Sequence, residues 1–224
     1  MRRLSIVMPV LDEAAVIQAT LQALAPLRAR GHELIVVDGG STDGTPALAA
    51  GAADLLIAGP RGRAKQMNAG AARASGAVLL FLHADTLLPE GADLRLQQAL
   101  EGGRRWGRFD VRISGRSRWL AVIAALMNLR SRLSGIATGD QAIFVEHALF
   151  EQLGGYAELP LMEDIELSRR LRATGRPACL RERVLTSGRR WEAHGLWRTV
   201  FLMWRLRWRY WRGEAPETLA RAYR

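Results

Sequence analysis

The sequence contains a single cysteine and no long apolar run. Cys179 cannot form an internal disulfide, and no Cys/His spacing indicates a structural zinc site. The longest apolar stretch, Trp119 to Met127, is far shorter than the roughly 20 residues that a membrane-spanning helix needs. The first ten residues lack the apolar segment and cleavage site of a signal peptide and predict a strand instead. We therefore expect a cytoplasmic protein without a transmembrane segment.

The chain has an ordinary globular composition and an excess of positive charge. Its 224 residues, 49% hydrophobic and 24% charged, suffice for one α/β domain with a buried core and are cramped for two. The formal net charge of +10 suggests an anionic partner, which can be a nucleic acid, a phosphorylated substrate or an acidic lipid surface. Many arginines after Arg181 are interleaved with tryptophans, which indicates a localised basic and aromatic surface.

Strand and helix patterns alternate along the first half of the chain. Strands are predicted at Leu4 to Val10, Leu34 to Val37, Leu55 to Ala58 and Ala77 to His83. Helices are predicted at Glu13 to Arg30, from Thr45, at Lys65 to Ala74 and at Pro89 to Glu101. This alternation predicts a parallel sheet, and such sheets bind ligands beyond the carboxyl ends of their strands.

Polar residues follow each of these strand ends. They are Asp12 and Glu13, Asp38 to Asp43, Arg61 and Arg63, and His83 and Asp85. Because the carboxyl ends of parallel strands meet at one edge of a sheet, we expect these side chains to converge there.

The second half is less regular. It has strand patterns near Arg108 to Ile113 and Gln141 to Glu146, and helical patterns from Arg118 to Leu133 and from Glu163 through Leu171. No linker separates the halves.

The loop after the second predicted strand is suited to a nucleoside. A nucleoside diphosphate offers hydroxyls that carboxylates can bind and phosphates that need cations. Asp38 can accept hydrogen bonds from ribose or base, Gly39 and Gly40 allow close approach of the backbone, and Asp43 can hold or cap the turn. The alternative is a capped loop with no ligand.

Two further groups of carboxylates are candidates for chemistry. Asp85 emerges from an apolar strand, where it can hold a divalent cation against a diphosphate or simply cap the next turn. Glu163, Asp164 and Glu166 begin a helical pattern, and such acidic first turns usually complement the helix dipole. Their mutual repulsion raises a pKa if one of them is buried. Asp164 is the candidate general base.

The run Ile6 to Glu13 and the decapeptide Val36 to Thr45 resemble glycosyltransferase family two, whose members are inverting enzymes with the GT-A fold. The resemblance covers nearly the whole chain. It implies an α/β fold with a mostly parallel, Rossmann-like sheet flanked by helices. It also implies that Pro9 and Glu13 line the pocket for base and ribose and that Asp38 contacts the nucleoside.

The resemblance extends to four other segments. Gly62 to Gly70 is similar to the family's basic stretch and implies donor contacts from Arg63 and Asn68. His83-Ala84-Asp85 resembles the metal motif with its first carboxylate replaced, which leaves Asp85 as ligand of Mg²⁺ or Mn²⁺. Glu163-Asp164 resembles the catalytic pair and implies Asp164 as the base. Arg190-Trp191 resembles the end of a Gln-x-x-Arg-Trp motif of processive members, with Ser187 in place of the Gln.

His194 lies where family members often have a histidine, so it is a candidate further metal ligand. A surface histidine without a ligand is the alternative.

These residues together predict an inverting, metal-assisted glycosyltransferase. It would transfer a hexose-type sugar from a nucleoside-diphosphate sugar to an acceptor hydroxyl on a small molecule or a lipid. Residues 1–194 are predicted as the GT-A domain, with a nucleotide-binding half of about 1–105 and an acceptor half of about 106–194, followed by a helical segment at 195–224. More narrowly, Thr138 to Gln141, Pro160 to Asp164 and Arg189 to Glu192 resemble a bacterial subgroup associated with arsenosugar biosynthesis. Other relatives glycosylate carotenoid or isoprenoid-type lipids.

The segment from Leu196 to Arg212 has an aromatic stripe at steps of four, three, four and three residues. Its members are Trp197, Phe201, Trp204, Trp208 and Trp211, and an adjacent stripe carries Arg198, Arg205, Arg209 and Arg212. This pattern suits an amphipathic helix at the surface of a membrane, here the inner face of the cell membrane. The alternatives are packing of the aromatic stripe on the core or on a second subunit of an oligomer.

Two other functions are weighed against the transferase. A sugar-1-phosphate nucleotidyltransferase usually opens with a glycine-rich phosphate loop bearing Arg and Lys, which Pro9 to Glu13 lacks. A noncatalytic nucleic-acid-binding module accounts for the net charge and the Arg/Trp helix but leaves Asp38, Asp43, Asp85 and Asp164 without a role. We therefore predict no nucleic-acid partner.

Overall fold

The computed structural model describes residues 2–223, whose strands form a single mixed sheet. The strands are β1 (Leu4–Val10), β2 (Glu33–Asp38), β3 (Leu55–Ala58), β4 (Val78–Phe81), β5 (Thr86–Leu87), β6 (Trp106–Ile113), β7 (Phe144–Glu146) and β8 (Ala178–Thr186). The helices are α1 (Ala14–Ala29), α2 (Thr45–Ala49), α3 (Arg63–Ala71), α4 (Ala92–Glu101), α5 (Trp119–Ser134), α6 (His147–Gln152), α7 (Glu163–Thr174), α8 (Arg189–His194), α9 (Leu196–Trp211) and α10 (Pro216–Tyr223). A short 3₁₀ helix spans Gly139–Gln141.

The strand order is β3-β2-β1-β4-β7-β6-β8-β5. The first four strands of this order pair in parallel, as the βα alternation predicts, and β6 pairs in parallel with β8. The pairs β4-β7, β6-β7 and β5-β8 are antiparallel. The predicted α/β class is therefore confirmed, with a parallel half that carries the first strand ends and a mixed half beside it.

Helices pack on both faces of the sheet because the central strands are apolar on both sides. On one face Ile6 and Met8 pack with α1, α4 and α5. On the other face Val7 packs with α3, α6 and α7. Each face therefore has its own hydrophobic core, and the ligand-accessible surface lies at the strand ends.

The sequence patterns miss β5, β8, α6 and α8, whereas α10 lies within the helical segment predicted at 195–224. Strand β8 contains Arg181, Glu182 and Arg183 and is only partly buried, so it lacks the apolar run that marks the other strands. Its pairing with β6 and β5 places its carboxyl end beside that of β4, and the Oγ1 atoms of Thr86 and Thr186 are 3.0 Å apart. This pairing brings the segment after β8 to the edge of the sheet where β1 and β4 end.

Among residues 2–223, the helices are all too short or too polar to cross a bilayer.

A buried ion pair joins β6 to α5. The guanidinium of Arg108 is fully buried, pairs with Asp110 and donates from Nε to Ser131 Oγ at 3.0 Å. Arg132 reaches the same carboxylate at 2.6 Å. This network holds α5 against the sheet.

We expect Asp110→Ala to lower the free energy of unfolding by about 3–5 kcal/mol, because it leaves the guanidinium of Arg108 buried without a carboxylate. Urea unfolding followed by circular dichroism measures this change. The control is Glu182→Ala, which removes the carboxylate of a half-exposed pair with Arg95 and should cost less than about 1 kcal/mol. Equal losses in the two variants would contradict a structural role for the buried pair.

Candidate functional site

A cleft of about 900 Å³ opens at the carboxyl ends of β1 and β4. The residues after these two strands form one wall, the start of α3 forms another, and the segment after β8 forms a third. Six of the residues predicted for the site line it: Pro9, Glu13, Arg63, Asp85, Arg190 and Trp191. Its volume is in the range of ordinary small-molecule sites.

Two carboxylates in the cleft share one guanidinium. Arg189 Nη2 is 3.1 Å from Glu13 Oε2 and 3.8 Å from Asp85 Oδ2. Burial raises the pKa of Glu13 and the charge of Asp85 adds to this, while the hydrogen bond from Arg189 opposes it. A hydrogen bond from α1 holds the backbone beside Asp85, since Thr20 Oγ1 donates to Ala84 O at 2.5 Å. Facing carboxylates of this kind favour a cation between them.

The donor set suits a divalent cation that also binds a substrate. In residues 2–223 no cluster of three or more His, Cys, Asp or Glu side chains is placed to hold a metal. Mg²⁺ is usually bound through one or two carboxylates together with substrate phosphates, and Asp85 provides one such carboxylate on the cleft wall. His194 ends α8 and lines another hollow with Arg198 and Arg205, so its role as a ligand stays a prediction.

Asp164 lies in a smaller hollow of about 80 Å³ that adjoins the cleft. It belongs to the first turn of α7, and its Oδ2 accepts a hydrogen bond from the backbone N–H of Gly139 at 2.9 Å. The residues that line both the cleft and this hollow are Arg63, His83, Asp140, Met203 and Tyr223. Asp85 and Asp164 therefore line two adjoining hollows that share these five residues.

Glu163 holds Arg63 at the boundary between the two hollows. Its Oε1 is 3.0 Å from Arg63 Nε, and its Oε2 is buried with no hydrogen-bond partner among residues 2–223. Burial raises the pKa of Glu163, the charge of Arg63 lowers it and the charge of Asp164 raises it, with a net increase from 4.5. The preceding residue, Met162, has a φ of 70°, an uncommon conformation that stores strain just before these carboxylates.

His83 and Asp140 form a pair that the sequence analysis did not propose as such. His83 Nδ1 is 3.5 Å from Asp140 Oδ1. Burial lowers the pKa of His83, but the hydrogen bond and the charge of Asp140 outweigh it and raise the pKa above 6.5. The capping box between Thr138 and Gln141, which shapes the 3₁₀ turn around Asp140, is the sequence signal that could have revealed this position.

The loop after β2 is held by its own hydrogen bonds. Asp38 accepts from the backbone N–H groups of Gly40 and Ser41, both at 3.0 Å. Asp43 accepts from Ala14 N at 2.9 Å and thereby caps α1. Gly39 N donates to Val10 O at 2.9 Å. Asp38, Gly39 and Asp43 are not among the residues that line the cleft, and their contact with a nucleoside stays a prediction.

Asn68 lies farther along α3, where its amide donates to Tyr156 O and accepts from Tyr156 N, both at 2.8 Å. These bonds tie α3 to the chain after α6. The predicted donor contact of Asn68 stays a prediction.

Three cleft residues have no counterpart in the sequence predictions. Gln66 donates to Val10 O and Val37 O, both at 2.8 Å, and so joins the ends of β1 and β2. Tyr223, in α10, stacks on Arg190 with the guanidinium 3.7 Å from the ring centroid. Arg189 precedes the predicted Arg190. Its place in the Arg-Arg-Trp run is the only local sequence feature that indicates a site residue here. For Tyr223 the sequence offers no signal.

Comparison with known proteins identifies the family. The family model described as "Glycosyl transferase family 2" matches residues 5–149. A "PGL/p-HBAD biosynthesis glycosyltransferase" of Mycobacterium tuberculosis is 34% identical over 164 residues, which are 68% of this chain and 62% of the relative. The corresponding protein of Mycobacterium bovis matches equally well. The chain thus spans about three fifths of the length of these relatives. The narrower resemblance to the arsenosugar subgroup stays a prediction.

Solved structures share the fold. TarS 1–349 of S. aureus in complex with UDP-GlcNAc has a TM-score of 0.65 at 18% identity, over 83% of this chain and 58% of that one. The mannosyltransferase PcManGT of Pyrobaculum calidifontis, in complex with GDP-Man and Mn²⁺, has a TM-score of 0.66 at 20% identity, over 99% of this chain and 69% of that one. These likenesses confirm the predicted GT-A fold.

The buried carboxylate of Glu163 should give the protein a measurable pH dependence. Because its pKa is raised in the folded state, the folded protein binds this proton more tightly than the unfolded chain does. The free energy of unfolding should therefore fall as the pH rises from 4.5 through the raised pKa. In Glu163→Gln this contribution is absent. Urea unfolding from about pH 4 to about pH 7 should therefore show the stability of the variant rising relative to the unchanged protein.

The control is Glu158→Gln, which removes an exposed carboxylate from the same region. Its stability should run parallel to that of the unchanged protein. Parallel curves for Glu163→Gln as well would show that Glu163 does not titrate in this range.

Proposed function

This chain belongs to glycosyl transferase family 2, and we propose that it transfers a hexose-type sugar from a nucleoside diphosphate to an acceptor hydroxyl with inversion at the anomeric carbon. The related structures bind donors with different bases and sugars, UDP-GlcNAc in one and GDP-Man in the other. The proposal therefore names the donor as a nucleoside-diphosphate sugar and assigns it to the cleft.

The shared wall between the cleft and the Asp164 hollow supports this proposal. Arg63 and His83 border both spaces, so a diphosphate near Asp85 and an acceptor near Asp164 would be neighbours. A displacement reaction needs a base on the acceptor side and positive charge on the leaving-group side. Asp164 supplies the base and Arg63 supplies the positive charge. Both side chains line the same hollow.

The proposed reaction is one displacement. The carboxylate of Asp164 takes the proton of the acceptor hydroxyl, and the oxygen forms a bond to the anomeric carbon. The bond from that carbon to the diphosphate oxygen breaks, and the diphosphate leaves with the electron pair. Arg63, held by Glu163 at 3.0 Å, compensates the charge that develops on the leaving group.

Asp85 is the proposed protein ligand of a divalent cation, Mg²⁺ or Mn²⁺. Such an ion would supply positive charge to the diphosphate when bound. Arg189, which now bridges Glu13 and Asp85, would then turn to other anionic groups of the cleft or of the donor.

We expect Asp164→Asn to lower turnover by about 10² to 10⁴, because the amide cannot accept the proton while its oxygen can still accept the bond from Gly139. Donor binding should remain. Product formation by mass spectrometry measures turnover, and thermal shift with nucleoside-diphosphate sugars and Mn²⁺ measures donor binding.

Two variants control this experiment. Glu166→Gln alters the next carboxylate of the same helix turn, which pairs with Arg170 instead of the cleft, and should retain turnover. Asp85→Asn should weaken donor binding in the presence of Mn²⁺ more than in its absence. Turnover of Asp164→Asn at the level of the unchanged protein would remove Asp164 from the mechanism.

We also propose that α5 and α9 dock on an anionic membrane. Both helices expose an apolar stripe: Trp119, Val122, Leu126, Leu129 and Leu133 on α5, and Trp197, Phe201, Trp204, Trp208 and Trp211 on α9. The stripes meet where the rings of Trp119 and Trp197 lie 5.2 Å apart between centroids. A contiguous apolar surface of this kind, flanked by exposed arginines such as Arg198 and Arg205, suits an interface with acidic headgroups.

The exposure of the α9 aromatic stripe argues against packing of this stripe on the protein core. Its five aromatic side chains are 53% to 83% exposed, so the stripe does not pack on the core described by residues 2–223. The side of α9 that packs inward carries Thr199 and Leu206 instead. A cytoplasmic enzyme held at the inner face of the cell membrane accounts for this surface, with a second subunit as the competing explanation.

The protein should co-sediment with vesicles that contain anionic lipid, and less so at high salt. Trp208→Ser combined with Trp211→Ser should weaken this partition by at least about tenfold, because each buried aromatic side chain contributes about 1.5–3 kcal/mol. The control is Leu94→Ser, an apolar side chain on α4 that is 53% exposed, against 55% for Trp208. Absence of vesicle binding together with a stable dimer in solution would indicate a second subunit instead.

A further inference from the structure

A groove of about 610 Å³ runs between α5 and α9. Its walls are mostly apolar and include Ile123, Met127 and Val200, and its rim is formed by the exposed side chains of Leu129 and Trp204. The donor cleft lies beyond one end of it. The groove is not used by the reaction described so far.

Two guanidinium groups in this apolar groove lack partners. The Nε and Nη2 atoms of Arg130 and the Nε atom of Arg207 are buried, and none of them has a hydrogen-bond partner among residues 2–223. Neither arginine forms an ion pair within that part of the chain. Buried donors of this kind are costly unless something accepts their hydrogen bonds.

The positive charges of the two arginines also repel each other. Burial and, after it, the charge of Arg207 lower the pKa of Arg130 to about 10, while the charge of Asp164 opposes this. Burial lowers the pKa of Arg207 as well. An anion bound between them would satisfy the free N–H groups and relieve the repulsion, and guanidinium groups are suited to phosphate and carboxylate.

The groove connects these arginines to the catalytic hollow. Arg207 and Asp140 line both the groove and the hollow that contains Asp164, and Met203 lines the groove, the hollow and the cleft. The groove is also lined by four exposed residues of the apolar stripes on α5 and α9, namely Leu126, Leu129, Leu133 and Trp204. A ligand in the groove would thus have its polar end near Asp164 and its apolar part toward the proposed membrane face.

From this arrangement we propose that the groove is the acceptor subsite and that its ligand is an anionic amphiphile, with a phosphate or carboxylate bound by Arg130 and Arg207 and a single apolar chain lying between α5 and α9. The assignment of this ligand as acceptor rests on the proposed transferase function. The binding itself does not, because it depends only on the charge and the apolar lining of the groove.

Isothermal titration of the full chain with decyl phosphate, decanoate and decanol, each below its micelle concentration, tests the proposal. We expect decyl phosphate or decanoate to bind at least about tenfold more tightly than decanol, and inorganic phosphate to bind more weakly than decyl phosphate. Arg207→Gln and Arg130→Gln should each weaken binding of the anionic amphiphile by about tenfold or more and leave decanol unchanged. Arg212→Gln, an exposed arginine on the same helix, is the charge-matched control.

Thermal unfolding of the ligand-free variants separates a binding role from a structural one. If the arginines serve a ligand, Arg130→Gln should unfold at the same or a higher temperature than the unchanged protein, since it removes unpartnered buried donors. A lower unfolding temperature with unchanged amphiphile binding would overturn the proposal, as would equal affinities for decyl phosphate and decanol. Donor binding, followed by thermal shift, tests the transferase function independently, so failure of one proposal is distinguishable from failure of the other.

Discussion

The site depends on one constraint, which is the repulsion among its carboxylates. These carboxylates come from different parts of the chain and lie close together in the fold. Glu13 and Asp85 face each other across Arg189, and Glu163 and Asp164 adjoin Arg63. In a partly desolvated cleft such groups remain charged only if cations compensate them. Arg63 and Arg189 provide such compensation within the protein, and their positive charge also favours ligands that carry phosphate.

The C-terminal helices contribute side chains to this site and also pack beside it. A small apolar cluster of Leu161, Met162, Leu206 and Leu219 joins α9 and α10 to the loop that precedes α7. Because Asp164 is in the first turn of α7, this packing links the position of the proposed base to the helix that carries the aromatic stripe. Contact of α9 with a membrane would therefore act on an element that packs beside the hollow containing Asp164.

Local sequence signals located the residues of the first strand ends because those strands are continuous apolar runs. Pro9 is at the end of β1, Glu13 and Asp85 follow β1 and β4, and all three line the cleft. Strand β8 was missed because three consecutive charged residues, Arg181 to Arg183, interrupt its apolar pattern. The approach of Arg189 to Asp85 was missed with it. Asp38 shows the opposite case, in which a residue found by its motif uses its carboxylate to hold its own loop.

The sequence by itself determined the α/β alternation, the residue types at the strand ends and the membership of the α9 stripe. Continuous apolar runs mark the strands, and a period of 3.6 residues marks the helices and the stripe. Only the tertiary structure decided that the α9 stripe faces outward and that Tyr223 enters the cleft. It also decided that guanidinium nitrogens of Arg130 and Arg207 are buried with no hydrogen-bond partner among residues 2–223. A period shows which side chains share a face, whereas the burial of that face depends on what packs against it, and those contacts join residues far apart in the chain.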